Sequence, residues 1–386
     1  MKIMIVPHLP TLFGRRYNLA KALSEKENDV HFIVWDMPYP LTFKSAIRHI
    51  FNSWGNTSYA HSGFTVHKIS RLPFFWPRVN GIIFRYQIRK IFTNNNIQVI
   101  LSQSYTNETA TPRELPLIYD MNDDHAAFAD IYGSILYRIG FKLLEVKETV
   151  REQITNALLV TYVSSALGEI AAKNNPNTMF LPNGVDELAF SYPVQTQSDD
   201  HIQLTYISNF GPWSEIEHVV RAIKLLKARY PDIILNVVGE GTEISKAKSL
   251  VIQQNLSQNI IFFGHVSDRK KIFSIIDGSD LCLNISEKNA FRDAAFPIKV
   301  VEYSARGKKV ISSDLREVRT LNFENVYIRK NIADPEILSR DIQTALEMKF
   351  DGQTIAKKIT NDYKWENIVT ILEDEIIKLR TQGLIK

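Results

Sequence analysis

The stretch Ala290-Phe-Arg-Asp-Ala-Ala-Phe-Pro-Ile-Lys-Val-Val-Glu-Tyr-Ser-Ala-Arg-Gly-Lys-Lys-Val-Ile-Ser-Ser-Asp314 carries more structural information than any other part of the chain. An apolar run, Leu281 to Ile285, precedes it; Pro297 stands near the first turn of a helix that Gly307 ends, and a strand from Lys309 to Ser312 follows. Strand, helix and strand in that order make the repeating unit of a parallel sheet. A helix start offers backbone N–H groups without intrahelical partners, and with Arg292 and Lys299 beside it this one suits an anionic, phosphate-bearing ligand. Lys299 and Glu302 are three residues apart and share a helix face, so one can meet a phosphate while the other accepts hydrogen bonds from hydroxyls. The alternative is an ordinary salt bridge on the surface of an amphipathic helix.

The same alternation extends in both directions. Upstream, strands are expected at Lys2 to Val6, Val30 to Trp35, Thr65 to Ile69, Val99 to Ser102, Leu117 to Asp120, Leu158 to Val163 and Met179 to Leu181, with helices between most of them. From Asp186 to His201 the periodicity fades into polar and turn residues, as a linker would. A second series follows at Gln203 to Ile207, Ile233 to Val238, Ile260 to Phe263, Leu281 to Ile285, Lys309 to Ser312 and Val326 to Ile328. The expected fold is α/β, with two doubly wound, Rossmann-like domains and an interdomain cleft, since such sheets bind ligands beyond their carboxyl edges. The domains are residues 1–187 and 200–364, and a last helical stretch, 365–386, packs back on the first.

Composition agrees. The chain has 386 residues, 45% hydrophobic and 23% charged, which excludes disordered, collagen-like and low-complexity classes and favours two domains over one. No run of about 18 apolar residues exists, and Pro7 and His8 cut short the apolar opening, so neither a membrane span nor a signal peptide is expected. The single cysteine, Cys282, lies in an apolar run and reads as a small buried hydrophobe, in keeping with a reducing cytoplasm. The net charge of +4 is too small to argue for nucleic acid. Its distribution is uneven, for no carboxylate occurs between Asp36 and Glu108, a stretch holding Lys44, Arg48, Lys68, Arg71, Arg78, Arg85, Arg89 and Lys90.

The segment Phe296 to Ile311 resembles the donor-site motif of GT-B glycosyltransferases, especially family 4 and its relatives, which read approximately Pro-x-Lys-x-x-Glu-Tyr-x-Ala-x-Gly-x-Pro-Val. Three further stretches are similar in order and spacing: Leu181-Pro-Asn-Gly-Val-Asp186, Leu235-Asn-Val-Val-Gly-Glu-Gly241 and Ile260-Ile-Phe-Phe-Gly-His-Val266. So is the opening strand followed by Gly14 and a helix. The resemblance spans nearly the whole chain. It implies that Glu302 binds the ribose hydroxyls of a nucleotide sugar, with a UDP-sugar as the expected donor. It further implies donor contacts from Lys299, Ile298, Pro297, Arg292, Ser286, His265, Val266 and Gly211, and a first domain that holds the acceptor, with Gly14, Arg15 and His125 on that side. No metal is implied. Two departures stand out. Ala294, with Asp293 beside it, occupies the place of a first glutamate found in many members, and Ser208-Asn-Phe-Gly-Pro-Trp-Ser214 lacks their Arg and Lys.

A second cluster lies in Leu117-Ile-Tyr-Asp-Met-Asn-Asp-Asp-His-Ala-Ala-Phe128, where an apolar strand ends in carboxylates. Asp123 or Asp124 there could act as general base towards an acceptor hydroxyl. Metal ligation by Asp120, Asp123 and Asp124 is a further reading, and capping of the next helix is the structural one. Similar segments occur in some bacterial cell-envelope GT-B enzymes. Gly239-x-Gly241 lacks the third glycine of a dinucleotide fingerprint. Arg15 and Arg16 open a helix and are read as solvated or, less simply, as touching substrate phosphate.

The expectation is therefore a glycosyltransferase acting in cell-envelope polysaccharide synthesis, with Lys299 assisting the leaving group and Asp123 or Asp124 as base if it inverts configuration. A nucleotide-sugar epimerase and a lapsed nucleotide-sugar-binding module are the rivals. The carboxylate-free stretch, with Phe74, Phe75 and Trp76 as anchors, predicts a cytoplasmic protein peripheral at the inner face of the cell membrane, bound to anionic lipid and presenting a glycan or lipid-linked acceptor.

Overall fold

A computed structural model describes residues 1–9, 11–35, 55–72, 76–191, 201–330 and 333–385. The chain begins β1 (Lys2–Val6), α1 (Arg15–Glu25), β2 (Asp29–Trp35), β3 (Thr57–His61), β4 (Phe64–Ile69), α2 (Pro77–Asn94) and β5 (Val99–Ser102). It continues β6 (Leu117–Met121), α3 (His125–Tyr132), α4 (Ile135–Leu143), α5 (Val146–Asn156), β7 (Leu159–Tyr162), α6 (Ser165–Ala172) and β8 (Thr178–Phe180). Then come α7 (Leu188–Ser191), β9 (Gln203–Ile207), α8 (Ile216–Leu226), β10 (Ile234–Val238), α9 (Ile244–Gln253), β11 (Ile260–Gly264), α10 (Arg269–Asp277) and β12 (Leu281–Asn284). The last elements are α11 (Ala290–Ala294), α12 (Ile298–Ala305), β13 (Lys309–Ser313), α13 (Arg316–Leu321), β14 (Val326–Arg329), α14 (Pro335–Glu347), α15 (Gly352–Tyr363) and α16 (Trp365–Thr381). Two compact units result, Met1–Gly184 with Trp365–Lys386, and Val185–Lys364.

The first unit is an eight-stranded sheet in the order β3-β4-β2-β1-β5-β6-β7-β8. All neighbours are parallel except β3 and β4. Ile3, Met4, Ile5 and Val6 are all buried because a central parallel strand is covered on both faces, which is why the sequence shows a continuous apolar run there and no alternation. The order reverses between β1 and β5, which puts a crevice beyond their carboxyl ends. Along α16, Trp365, Ile368, Val369, Leu372, Ile376 and Leu379 recur at helical spacing and enter the same core as Leu19 and Leu23 of α1 and Phe32 of β2.

The second unit is a wholly parallel six-stranded sheet, β11-β10-β9-β12-β13-β14, whose order reverses between β9 and β12. Its core joins Leu204, Tyr206, Leu235, Val237, Leu281 and Ile311 to Val219 and Ile223 of α8 and Ile342 of α14. Gly307 ends α12 as its sequence position predicts. With φ at 63° it lets its own N–H reach Ser304 O at 2.9 Å, and the Lys308 N–H reach Tyr303 O at 3.1 Å, the paired bonds of a Schellman cap. Gly239 and Gly241 have a packing role here, since a Cβ on either would overlap the carbonyl oxygen of Ser208 or Phe210. They let the loop after β9 lie on the turn after β10. Among the described residues no helix is long and apolar enough to cross a membrane.

Four histidines of the first unit are held neutral by burial. His31 Nδ1 lies 2.8 Å from His67 Nε2, and the other ring nitrogen of His67 lies 2.8 Å from Ser58 Oγ, joining β2, β4 and β3. Burial pushes His67 down to about 4 and lowers His31. Burial, then the nearby Arg16, takes His8 to about 4, and His125 falls to about 3. The unfolded chain therefore binds more protons than the folded one below about pH 6.5, and stability falls as pH drops from there towards 4. At pH 5 the expected loss is on the order of 1 to 2 kcal/mol for each of His8 and His67. Thermal melts at pH 7.5 and 5.0 test this: the melting temperature should drop in acid, and His67→Gln should reduce the drop. An acid-insensitive melting temperature would refute the account.

Candidate functional site

In the second unit the carboxyl edge around β9 and β12 gathers most of the residues singled out in the sequence. Glu302, in the second turn of α12, accepts a hydrogen bond at Oε1 from the Arg269 guanidinium. Arg269 also donates from Nε to Asp186 Oδ2 at 3.0 Å, and its guanidinium lies over the Phe273 ring at 4.9 Å. Burial raises the Glu302 pKa, and the Arg269 guanidinium beside it opposes the rise. One carboxylate oxygen is held; Oε2 is left to accept from a ligand hydroxyl. The salt bridge between Lys299 and Glu302 considered from their spacing does not form. Lys299 makes no hydrogen bond or ion pair among the described residues, and burial, reinforced by the charge of Arg292, lowers it to about 8.

Pro297 is the N-cap of α12 and no side chain caps that end; in the first turn the Ile298 N–H donates to Phe296 O and the Val300 N–H to Pro297 O, both at 2.9 Å, so the positive end of the helix beside Lys299 is closed by backbone alone. Ile298 at the same turn is exposed. Arg292 lies in the short helix α11, whose N-cap Asn289 accepts from the Arg292 N–H at 3.0 Å. Ser286 follows β12; its N–H donates to Ser313 Oγ at 2.9 Å while its own Oγ is buried without a partner. Gly211 follows β9 under the Trp213 indole. His265 and Val266 follow β11, the His265 N–H reaching Glu240 Oε1 at 3.4 Å. Sequence reading missed Arg269 and Asp186, which lie 33 and 116 residues before Glu302 and meet it only through the fold.

The first unit has its own constellation beyond β1, β5 and β6. His125 stacks on Tyr105 with centroids 3.8 Å apart, and His8 lies 5.3 Å from the His125 ring. Arg16 reaches the His8 ring at 3.2 Å and Thr11 Oγ1 at 2.5 Å. The Nε2 atom of His125 is buried and has no partner. Asp123, Asp124 and His125 line a cavity of about 290 Å³ together with Lys147 and Arg151 of α5. Asp124 is the N-cap of α3 and accepts from the Ala127 N–H at 2.9 Å. Gly14 is an exposed turn with φ at 75° and open space around it. His8 and Tyr105, which complete this cluster, were not singled out in the sequence; each follows a central strand directly, and that placement was the available signal.

Arg15 is committed to the protein. Its Nε and Nη2 donate to the two oxygens of Asp120, both at 2.8 Å, and its remaining donors go to Pro182 O, Leu181 O and Asn183 Oδ1. Neither a solvated role nor contact with a ligand fits an arginine whose donors are all taken. Burial would raise the Asp120 carboxyl, but Arg15, Gln103 and Thr161 together bring it below the usual carboxylate range. Asp120 is thus unavailable to a cation, and among the described residues no three His, Cys, Asp or Glu side chains are grouped to hold a metal. The carboxylate-free stretch is also less positive than its sequence. Folding brings Glu108 to Arg71, Glu114 to Arg89 and Glu145 to Arg78. Phe74 and Phe75 lie outside the described residues, as do Lys44 and Arg48.

Two doubly wound parallel sheets, each with its candidate residues at the carboxyl edge, give the chain the GT-B fold. Among solved structures it is similar to sucrose-phosphate synthase from Thermosynechococcus elongatus, with a TM-score of 0.70, 13% identity, and 99% of this chain and 100% of that one covered. It is similar also to HepE from Anabaena in complex with UDP, at 0.68 and 15%, covering 98% and 100%. A third is WaaG, a glycosyltransferase involved in lipopolysaccharide biosynthesis, at 0.66 and 13%, covering 97% and 99%. At such identities the shared property is the fold. Residues 191–364, within the second unit, match the family model described as glycosyl transferases group 1. No curated protein matches the chain.

Proposed function

We propose that the protein transfers a sugar from a nucleotide-sugar donor, held by the second unit, to an acceptor hydroxyl bound by the first. The observation that carries this is Glu302, held at one oxygen by Arg269 and with the other left to accept, one turn from the unpaired Lys299 at the start of α12. Glu302 would take the ribose hydroxyls. Lys299, Arg292 and the positive end of the α12 dipole would face the diphosphate, and as its bond to the sugar breaks they would stabilise the charge gathering on the leaving group. No metal is required for that step. Ser286, Gly211, His265 and Val266 border the same edge and complete the donor site.

UDP is the proposed nucleotide, supported by the UDP complex of HepE, and a cell-envelope glycan or lipid-linked acceptor is supported by the lipopolysaccharide role of WaaG. The acceptor would enter the cavity beside Asp123, Asp124 and His125. Where configuration inverts, Asp123 or Asp124 takes the acceptor proton; where it is retained, the donor phosphate itself can take it.

Calorimetry with UDP tests the donor site. Glu302→Ala should weaken binding roughly ten- to hundred-fold, because hydrogen bonds to a charged acceptor are worth about 1.5 to 3 kcal/mol. Arg269→Ala should weaken it too, and make affinity rise with pH as Glu302 ionises unaided. Unchanged affinity in both variants would remove this pair from the site. Incubation with labelled UDP-sugars reads the reaction itself: transferred sugar supports the proposal, whereas isomerised donor or donor bound unchanged would overturn it.

A further inference from the structure

Helix α4 has no buried residue, although six of its nine residues are large and aliphatic or aromatic in the run Ile135-Leu-Tyr-Arg-Ile-Gly-Phe-Lys-Leu143. Tyr137 and Phe141, four residues apart, have rings 4.5 Å apart, and Phe141 lies 6.1 Å from Tyr105. The opposite stripe is Ile135, Leu136, Ile139 and Leu143, and Ile135 and Leu136 are 78% and 80% exposed. A stripe of this kind on a surface helix normally faces a core.

It does not stand alone. Trp76, Val79, Ile139, Lys142 and Leu143 line a groove of about 550 Å³ between α4 and the start of α2, and α2 continues the apolar surface with Ile82 and Tyr86, 65% and 64% exposed. The charge on these two helices has one sign. Pro77–Asn94 contains Arg78, Arg85, Arg89 and Lys90, Ile135–Leu143 contains Arg138 and Lys142, and neither contains a carboxylate. Glutamates from elsewhere neutralise Arg78 and Arg89, but Lys90, Arg138 and Lys142 have no carboxylate partner among the described residues. Arg138 and Lys142 are four apart and flank the apolar stripe along one side.

We infer that the exposed face of α4 and α2 is a docking surface for an anionic lipid bilayer. Aliphatic side chains would enter the headgroup and acyl boundary, Trp76 and Tyr86 would sit at the interface, and Arg138, Lys142 and Lys90 would meet lipid phosphates. This surface keeps Trp76 and Lys90 of the carboxylate-free stretch and adds α4, while Arg71 of that stretch is held by Glu108. The inference does not depend on the transferase reading, since vesicle binding is measured without substrate.

The test is co-sedimentation of the full chain with vesicles of phosphatidylglycerol and phosphatidylcholine, and of phosphatidylcholine alone. Binding to the anionic vesicles, reduced by salt, is expected, with at least a ten-fold loss in the double variant Ile135→Glu, Leu136→Glu and a smaller loss in Arg138→Gln, Lys142→Gln. A control pair at exposed positions of α16, Ile371→Glu with Ile377→Glu, should bind as the parent does. Sizing of the lipid-free protein covers the other occupant. No vesicle binding at low ionic strength would overturn the inference, as would a dimer dissociated by Ile135→Glu, Leu136→Glu, which would mean that a second copy covers the stripe.

Discussion

Asp120→Ala is expected to cost about 3 to 5 kcal/mol, a large part of the roughly 5 to 15 kcal/mol that holds a typical domain folded. The carboxylate is 1% exposed, and its removal strands the Arg15 guanidinium among buried groups with no compensating charge. Arg15 also ties α1 to the carbonyls of Leu181 and Pro182 at the far end of the first unit, so its displacement loosens two distant segments together. Urea denaturation followed by circular dichroism measures the loss as a fall in midpoint. Replacing both partners by apolar residues, Arg15→Met with Asp120→Leu, should recover part of it, because a buried pair is worth far less against an apolar pair than against a lone charge. The Asp120 contribution is present at neutral pH and is lost as pH falls through its depressed folded-state value. An unchanged midpoint in Asp120→Ala would show that the pair is not stabilising the unit.

The second large effect is on turnover. Lys299→Ala should lower kcat by roughly 100- to 1,000-fold, the usual range for removing one preorganised group from a site of developing charge. Affinity for UDP should fall much less, since the charge on the departing diphosphate is greatest in the transition state. With Lys299 near 8 in the free protein, part of the population lacks the ammonium at mildly alkaline pH. Binding a diphosphate favours the charged form, so UDP binding at pH 8 should take up protons, visible as a dependence of calorimetric enthalpy on buffer ionisation. Proton uptake should vanish in Lys299→Ala. A loss confined to the Michaelis constant would place Lys299 in ground-state binding only.

Legibility from sequence followed the range of the interactions. Gly307 and Pro297 act on their neighbours, and the helix they bound runs from Ile298 to Ala305. Strands buried on both faces are plain as apolar runs. The edge strand Thr57–His61 was not read, because Thr-Ser-Tyr-Ala-His is exposed and carries no apolar pattern; only its antiparallel pairing with β4 makes it a strand. At the donor edge, spacing put Lys299 and Glu302 on one face but could not supply Arg269, which arrives from another helix. The same limit misplaced Arg15. Its partner is 105 positions away, and nothing in Gly-Arg-Arg distinguishes an arginine bound inside from one in water.

The first unit is interrupted in sequence: its sheet ends at Phe180, yet α16, which completes its core, is encoded after the whole of the second unit. At about 1.5 to 3 kcal/mol per buried apolar side chain, the six residues from Trp365 to Leu379 contribute on the order of ten kcal/mol before the entropy of ordering the helix is set against it. During synthesis, Val185–Lys364 can therefore emerge and close while the earlier-made sheet still lacks its last helix, so an unfilled hydrophobic slot over α1 waits through the translation of 180 further residues. The nascent chain is most exposed to chaperones and to mispairing in that interval, and the unit made first is the last to become stable.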